Sequence, residues 1–439
     1  MTTDNIVYQL IQEEEQRQKE KIGLIPSENH MSPQVAGVLG SCLSSKYAEG
    51  YPGRRYYEGN QIVDKLENLA IERAKTLFDV PFANVQAYSG SPANTAVQYA
   101  LLEPGDAIMG LTLGGGGHLT HGHPDVTFSG KYFRSVQYRL DENGRIDFNH
   151  MLALAREHQP KLIIAGTTSY PFMLDFARFR EVADAVGAWL LADISHITGL
   201  IIGGEHSSPV PYADVITTTT HKTLRGPRGA IILVTERGLA RDAKLGAKID
   251  KAIIPGLQGG PHNATTAGIA IALEEATQPA YRAYARQMRL NANALAESLL
   301  SGGLTLAGGG SENHLMVVDL TPLSVGLGTQ AAYALDVAGI YANRNTIPNE
   351  PGSPFYPSGL RLGTPLVTTR GMQEAEMVQI GQWITQVVAY VKDATLPEEP
   401  KERGTFIKSF KKQVDNDPYL LNLREKVKSL AIQFPLFAE

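Results

Sequence analysis

Five short runs between positions 107 and 235 restrict the possible folds of this chain more than any other feature. AIMGL (107–111), KLIIAG (161–166), AWLLAD (188–193), DVITTT (214–219) and AIILVT (230–235) read as strands. Several are apolar on both faces, as strands must be when helices cover a parallel sheet on each side. Helix-forming segments separate them, among them QIVDKLENLAIERAKTLF (61–78) and RFREVADAVG (178–187). The alternation predicts an α/β layer architecture with a large, mostly parallel sheet.

The pattern changes after about position 275. A helix-forming stretch with an expected break near Pro279 leads into HLMVVDL and a helix from Thr329. This reads as a smaller α/β domain on its own sheet. Residues 3–20 form a predicted helix with Ile6, Val7, Leu10 and Ile11 on one side, an arm that would pack on something else, such as a second subunit. The expected organisation is an N-terminal helical arm (1–50), a large domain (51–275) and a small C-terminal domain (276–439).

Composition narrows the function classes. A net charge of −5 gives no support for a nucleic-acid binder. No apolar run reaches the ~18 residues of a membrane span, and the acidic, polar N-terminus is unlike a signal peptide. The single cysteine, Cys42, cannot form an internal disulfide, which points to a reducing cytoplasm. Its side chain is expected to be small, apolar and buried.

The chemistry concentrates in TTTTHKTLRGPRG (217–229). Lys222 follows a strand end in a turn with Arg225 and Arg228, and neighbouring cations oppose protonation of an amine. An unprotonated amine can attack an aldehyde, so this setting suits a Schiff-base lysine. Asp193 ends a predicted buried strand, where ligands of doubly wound sheets bind. A carboxylate there can keep a pyridinium nitrogen protonated, with His196 three residues on, although Asp193 equally suits a helix N-cap. SGSPAN (89–94) would offer Ser89, Gly90 and backbone N–H groups at a helix N-terminus, a ready anion site. LGGGGHLTHG (113–122) reads as a flexible loop. With no cysteine or carboxylate beside His118 and His121, an imidazole stacked on a ring is favoured over a metal site. Arg361 in SGLRLGTP suits carboxylate recognition. KYAEGYPGRRYY (46–57) crowds aromatics and Glu49 into one loop, which suits either a ligand pocket or a subunit contact.

In this order, LIPSEN, KYAEGYPGRRYY, SGSPAN, GGHLTHG, ADISH, TTTTHKTLRGPRG, QGGP, NRNTIP and SGLRLGTP…TTRG resemble the serine hydroxymethyltransferase family over about residues 20–385. The resemblance implies the aspartate-aminotransferase fold (pyridoxal-phosphate fold type I) in a homodimer with shared active sites. It also implies transfer of the hydroxymethyl group of L-serine to tetrahydrofolate, giving glycine. Carried over by motif, Lys222 would hold pyridoxal 5'-phosphate covalently, Asp193 would pair with the ring nitrogen and His118 would stack on the ring, near Thr168. Ser89, Gly90 and His221 would hold the phosphate with Gly260 of the neighbouring subunit. Arg361, Ser27 and His196 would bind the amino acid. Glu49, the proton-transfer carboxylate, would come from the partner chain with Tyr47 and Tyr57. Leu113, Gly117 and Asn345 would contact the folate.

The sequence departs from the family pattern in several places. Thr168 stands for serine, Gly114 and Gly115 for a small residue and histidine, and Pro92 for glutamine. Glu58 stands for glycine, Asn60 for cysteine and Pro26 for alanine. A related α-methylserine hydroxymethyltransferase or a folate-independent aldolase would use the same scaffold, and serine cleavage with and without tetrahydrofolate separates these. Intact Lys222 and Glu49 argue against a non-catalytic folate- or RNA-binding protein.

Overall fold

The computed structural model describes residues 5–124 and 126–436. The start of the expected first helix, Thr3 and Asp4, lies outside them. The chain forms two compact units. One is Asn29–Arg286; the other comprises the described residues up to Glu28 and those from Gln287 on.

The first unit is built on seven strands: β1 (Phe82–Asn84), β2 (Ala107–Leu111), β3 (Arg134–Tyr138), β4 (Leu162–Gly166), β5 (Trp189–Asp193), β6 (Val215–Thr219) and β7 (Ala230–Val234). Their order across the sheet is β1-β7-β6-β5-β4-β2-β3. Strands β2 to β6 run parallel, while β7 is antiparallel to both β6 and β1, so β1 points the same way as the parallel set. Every residue of β2, β4, β6 and β7 is buried. Fully burying a Val, Leu or Ile side chain stabilises by roughly 1.5–3 kcal/mol, so these strands carry the core. The carboxyl ends of β1, β2, β4, β5 and β6 fall along one edge of the sheet, and the segments after them carry the chemistry-bearing motifs.

The second unit has a four-stranded antiparallel sheet: β8 (Thr305–Leu306), β9 (Leu315–Asp319), β10 (Asn343–Asn345) and β11 (Gly359–Gly363), in the order β8-β9-β11-β10. Met316, Val318, Leu360 and Leu362 pack with Leu335 of the Gly328–Val337 helix and with Ile384 and Val388 of the Glu374–Val391 helix. Arg370 is buried and donates to five backbone carbonyls, those of Gln18, Lys19, Lys21, Ala431 and Phe434. Burial pushes its guanidinium down to about 10. The carbonyls cluster at the C-terminal ends of the Asn5–Glu20 and Pro418–Ala431 helices, where helix dipoles favour a cation. Ile6, Val7, Leu10 and Ile11 of the first of these helices are exposed. Among the described residues, no helix is long and apolar enough to cross a membrane.

One expectation fails. Cys42 is exposed on the short 3-10 turn Cys42–Ser45 instead of buried. A turn that short has no inner face of its own with which to hide a side chain.

Candidate active site

Asp193 closes β5 and is buried, yet four donors surround it. Oδ1 accepts from the Ser195 backbone N–H (3.1 Å) and hydroxyl (2.6 Å). Oδ2 accepts from Asn94 Nδ2 (2.8 Å) and His121 Nε2 (2.9 Å). Burial works to raise its pKa, but the His121 hydrogen bond and charge, with the Ser195 bond, outweigh it and hold the carboxyl well below the usual range. The N-cap alternative does not hold: the next helix, Thr198–Gly203, has Ile197 at its N-cap.

The partners of Asp193 lead outward to the other motifs. The His118 backbone N–H approaches His121 Nδ1 at 3.4 Å, while His121 Nε2 faces Asp193. Asn94 also donates to Thr120 Oγ1 (2.9 Å), which pairs with His118 Nδ1 at 2.8 Å. A Cβ at Gly166 would lie 2.8 Å from both His121 Cε1 and Asp193 Cβ, so only glycine lets the imidazole reach the carboxylate. The loop expected to be flexible is in fact pinned. Gly117 N–H donates to Thr112 O (2.9 Å) and Thr168 N–H to Gly116 O (2.7 Å). Thr168 Oγ1 adds a bond to Gly117 O (3.0 Å). Leu113, at its rim, is exposed.

Ser195 links Asp193 to the end of β6 by accepting from the Thr219 N–H (3.1 Å). Against Thr219 sits the start of the Gly90–Leu101 helix. A Cβ at Gly90 would lie 2.7 Å from Thr219 Cγ2. Ser89 is the N-cap residue but makes no side-chain capping bond. The turn after β6 is over-determined. Lys222 O accepts from Asn29 Nδ2 (2.9 Å) and Arg225 N–H (3.1 Å), and Gly226 N–H closes onto Thr220 O (2.7 Å). Arg225 adopts a left-handed φ of 62°, with its guanidinium over the Tyr284 ring. Thr223 Oγ1 donates to His196 O (3.1 Å), which ties the Lys222 turn to the segment after Asp193. Burial, then the Lys222 and Arg228 charges, push His221 down to about 4.

A second group in the same unit gathers Tyr47, Glu49, Tyr57 and Gly260. Glu49 N–H donates to the Tyr57 hydroxyl (3.0 Å), and a Cβ at Gly260 would lie 3.1 Å from the Tyr47 ring. Tyr47 is exposed. The strut beneath the loop is Arg55, whose side chain is 4% exposed. It donates to Ala48 O (2.7 Å), Gly50 O (2.8 Å), Asp64 (2.8 Å) and Glu67 (2.6 Å).

Ser27, Asn345 and Arg361 belong to the other unit. Arg361 lies on β11 opposite Asn343 of β10, whose Oδ1 accepts from Arg361 Nε (3.1 Å). Burial pushes the guanidinium down to about 10. Gly363 N–H bonds to Leu24 O (2.8 Å) and a Cβ there would meet Pro26, so the segment leading to Ser27 runs beside the end of β11.

A model of the serine hydroxymethyltransferase family matches residues 1–384. The serine hydroxymethyltransferase of Acidothermus cellulolyticus is 56% identical over 390 residues, 89% of each chain. That of Sorangium cellulosum is 54% identical over 391 residues, 89% of this chain and 90% of the relative. That of Desulfotalea psychrophila is 51% identical over 396 residues, 90% of this chain and 91% of the relative. The chain belongs to the serine hydroxymethyltransferase family.

The fold is accordingly of the aspartate-aminotransferase type. Several departures from the usual serine hydroxymethyltransferase pattern have a local geometry. A Cβ at Gly115 would lie 2.9 Å from Thr112 Oγ1, so a side chain there would have to shift the loop, whereas Gly114 faces open space. Asn60 is buried and donates to Tyr57 O (3.0 Å), and Glu58 is exposed. Pro92 sits in the first helical turn, where a missing N–H breaks no helix bond but removes one donor for an anion. Sequence reasoning assigned no role to Asn94, Ser195, Arg55 or Asn343, and it weighed His121 as a metal ligand or a stacking imidazole but not as a partner of Asp193. The second histidine of HLTHG and the paired arginines of GRRYY were the available signals.

Proposed function

We propose that the protein is a cytoplasmic homodimeric enzyme that interconverts L-serine plus tetrahydrofolate with glycine plus 5,10-methylenetetrahydrofolate, using pyridoxal 5'-phosphate. The observation that carries this reading is the buried Asp193 carboxylate, kept ionised by four donors and linked through Ser195 and Thr219 to both a helix N-terminus and the Lys222 turn.

The residues fit that cofactor. Among the described residues the buried His221 Nδ1 has no hydrogen-bond partner. Ser89 spends no hydroxyl on its own helix, and Gly90 leaves its N-terminus bare. These groups, with Gly260 of the neighbouring subunit, would cradle a phosphate. Pyridoxal phosphate, when bound, supplies an aldehyde for the amino group and a ring that withdraws the electron pair released when Cα–Cβ breaks. Lys222 Nζ would hold the aldehyde carbon. Asp193 would keep a proton on the ring nitrogen. His118 would cover one ring face, and Thr168 and His196 would flank it. Arg361, with Ser27 and His196, would bind the substrate carboxylate. Glu49, from the partner chain with Tyr57 and Tyr47, would move the proton at the hydroxymethyl oxygen. Leu113, Gly117 and Asn345 would contact the folate.

The test reduces the protein with borohydride after incubation with pyridoxal phosphate and maps the labelled lysine. Label at Lys222, with serine cleavage that depends on tetrahydrofolate, is the expected result. Label at another lysine, or cleavage indifferent to tetrahydrofolate, would overturn the reading.

A further inference from the structure

We propose that Glu350 is a positioning residue for the co-substrate: it holds the loop that follows Asn345, and so sets the affinity for tetrahydrofolate but not that for serine. The inference rests on Asn345 as a folate contact.

Strands β10 and β11 pair with Asn343 opposite Arg361 and Asn345 opposite Gly359. Residues 346–358 connect them, and the Glu350 carboxylate is the internal anchor of that loop. Oε2 accepts from the N–H groups of Ile347 (3.3 Å) and Ser358 (2.9 Å). Oε1 accepts from Gly352 N–H (3.0 Å) and the Ser358 hydroxyl (2.6 Å). Ser358 Oγ in turn accepts from Gly326 N–H (2.8 Å). Asn349, inside the loop, has a left-handed φ of 56°, a turn conformation that asparagine tolerates better than most side chains.

The two legs of the loop are held differently. The returning leg has supports independent of Glu350. Leu320 N–H donates to Ser358 O (3.0 Å), Gly328 N–H to Pro357 O (3.0 Å), and β11 then pairs with β9. The outgoing leg, next to Asn345, gives its Ile347 and Gly352 N–H groups to Glu350. Losing the carboxylate therefore loosens residues 346–352, which flank Asn345, whereas the returning leg gives up its two Ser358 bonds but keeps the Leu320, Gly328 and β9 supports beside Arg361. Glutamine is no substitute, because half of its amide is a donor where donors already converge.

Glu350→Ala and Glu350→Gln are assayed as cofactor-loaded enzyme, alongside wild type. KM for tetrahydrofolate should rise about tenfold or more in the alanine variant and by less in the glutamine variant, as expected for lost charge-assisted hydrogen bonds. KM for serine should stay within about twofold, the returning leg keeping its other supports. Calorimetric binding of tetrahydrofolate in the presence of glycine should weaken by the same factor. Amide exchange should speed up over 346–352 and not over 357–363. Unchanged tetrahydrofolate affinity despite faster exchange would overturn the proposal, as would equal rises in both KM values. If the alanine variant does not fold, the glutamine variant decides. Wild type lacking tetrahydrofolate-dependent cleavage would instead sink the underlying functional reading.

Discussion

Asp193 is buried and Asp250 half-buried in the same unit, and the two carboxylates shift in opposite directions. Asp193 stays anionic because four donors converge on it. Asp250, under the Tyr47–Tyr57 loop, has Asn84 Nδ2 at 2.9 Å and the Arg54 guanidinium at 3.8 Å, and burial pushes it up to about 6. Depth alone does not decide charge; the number of donors does. The first site spends donors to keep a charge available for a ligand. The second anchors a loop, with Asn84 also bonded to the Tyr51 hydroxyl (3.1 Å), and tolerates a proton.

The comparison breaks most sharply at Asp193. Asp193→Asn strands donors around a neutral amide and removes the group meant for the ring nitrogen. kcat/KM should fall ~10²–10⁴-fold, the equivalent of the 3–5 kcal/mol lost when one partner of a buried pair goes. A fall of less than tenfold would make Asp193 structural. Next is Arg55→Ala, which leaves Glu67 and Asp64 without their cation and should cost ~3–5 kcal/mol of unfolding free energy in denaturant. Replacing Arg55 and Glu67 together by apolar residues should restore much of that stability but not the activity, because Glu49 and Tyr57 lose their strut.

Asp250 sets a smaller, pH-dependent effect. Its folded pKa of about 6 lies above the ordinary 3.8, so the folded state binds more protons between those values. Stability contributed by this group is therefore present at low pH and declines as pH rises from about 4 to about 6, by at most ~3 kcal/mol. Asp250→Asn should flatten that slope in urea titrations and be the more stable form at pH 7. Asp193 has the opposite sign: its depressed pKa stabilises above the ordinary value, and that contribution fades only as pH falls below it. The smallest effect belongs to Asn343→Ala. It loses one hydrogen bond to Arg361, worth ~1 kcal/mol, so KM for serine should rise severalfold with kcat nearly unchanged.

Much of this was legible in the sequence because continuous apolar runs announce buried strands. The five runs match β2, β4, β5, β6 and β7, and QIVDKLENLAIERAKTLF is the Gln61–Phe78 helix, residue for residue. The expected break near Pro279 falls between the Asn263–Glu275 and Pro279–Ser301 helices. The edge strand β3 escaped because RSVQY is only half buried, and β1 because it has three residues. Motifs at strand ends could be found because topology brings strand ends together. The residues behind them could not. Asn94 lies on a helix face, Arg55 in a two-residue hairpin strand and Asn343 across a strand from Arg361, and each is recognised only through the partner it reaches in space.

Arg370 joins stretches of chain that are far apart in sequence, since its one guanidinium takes carbonyls from the end of the Asn5–Glu20 helix and from residues 431 and 434. Neither helix end can open without stripping hydrogen bonds from the same buried cation. In hydrogen-exchange terms the two segments form a single foldon: protection over 17–21 and over 431–434 will vanish at one common denaturant concentration, and substituting Arg370 will uncouple them.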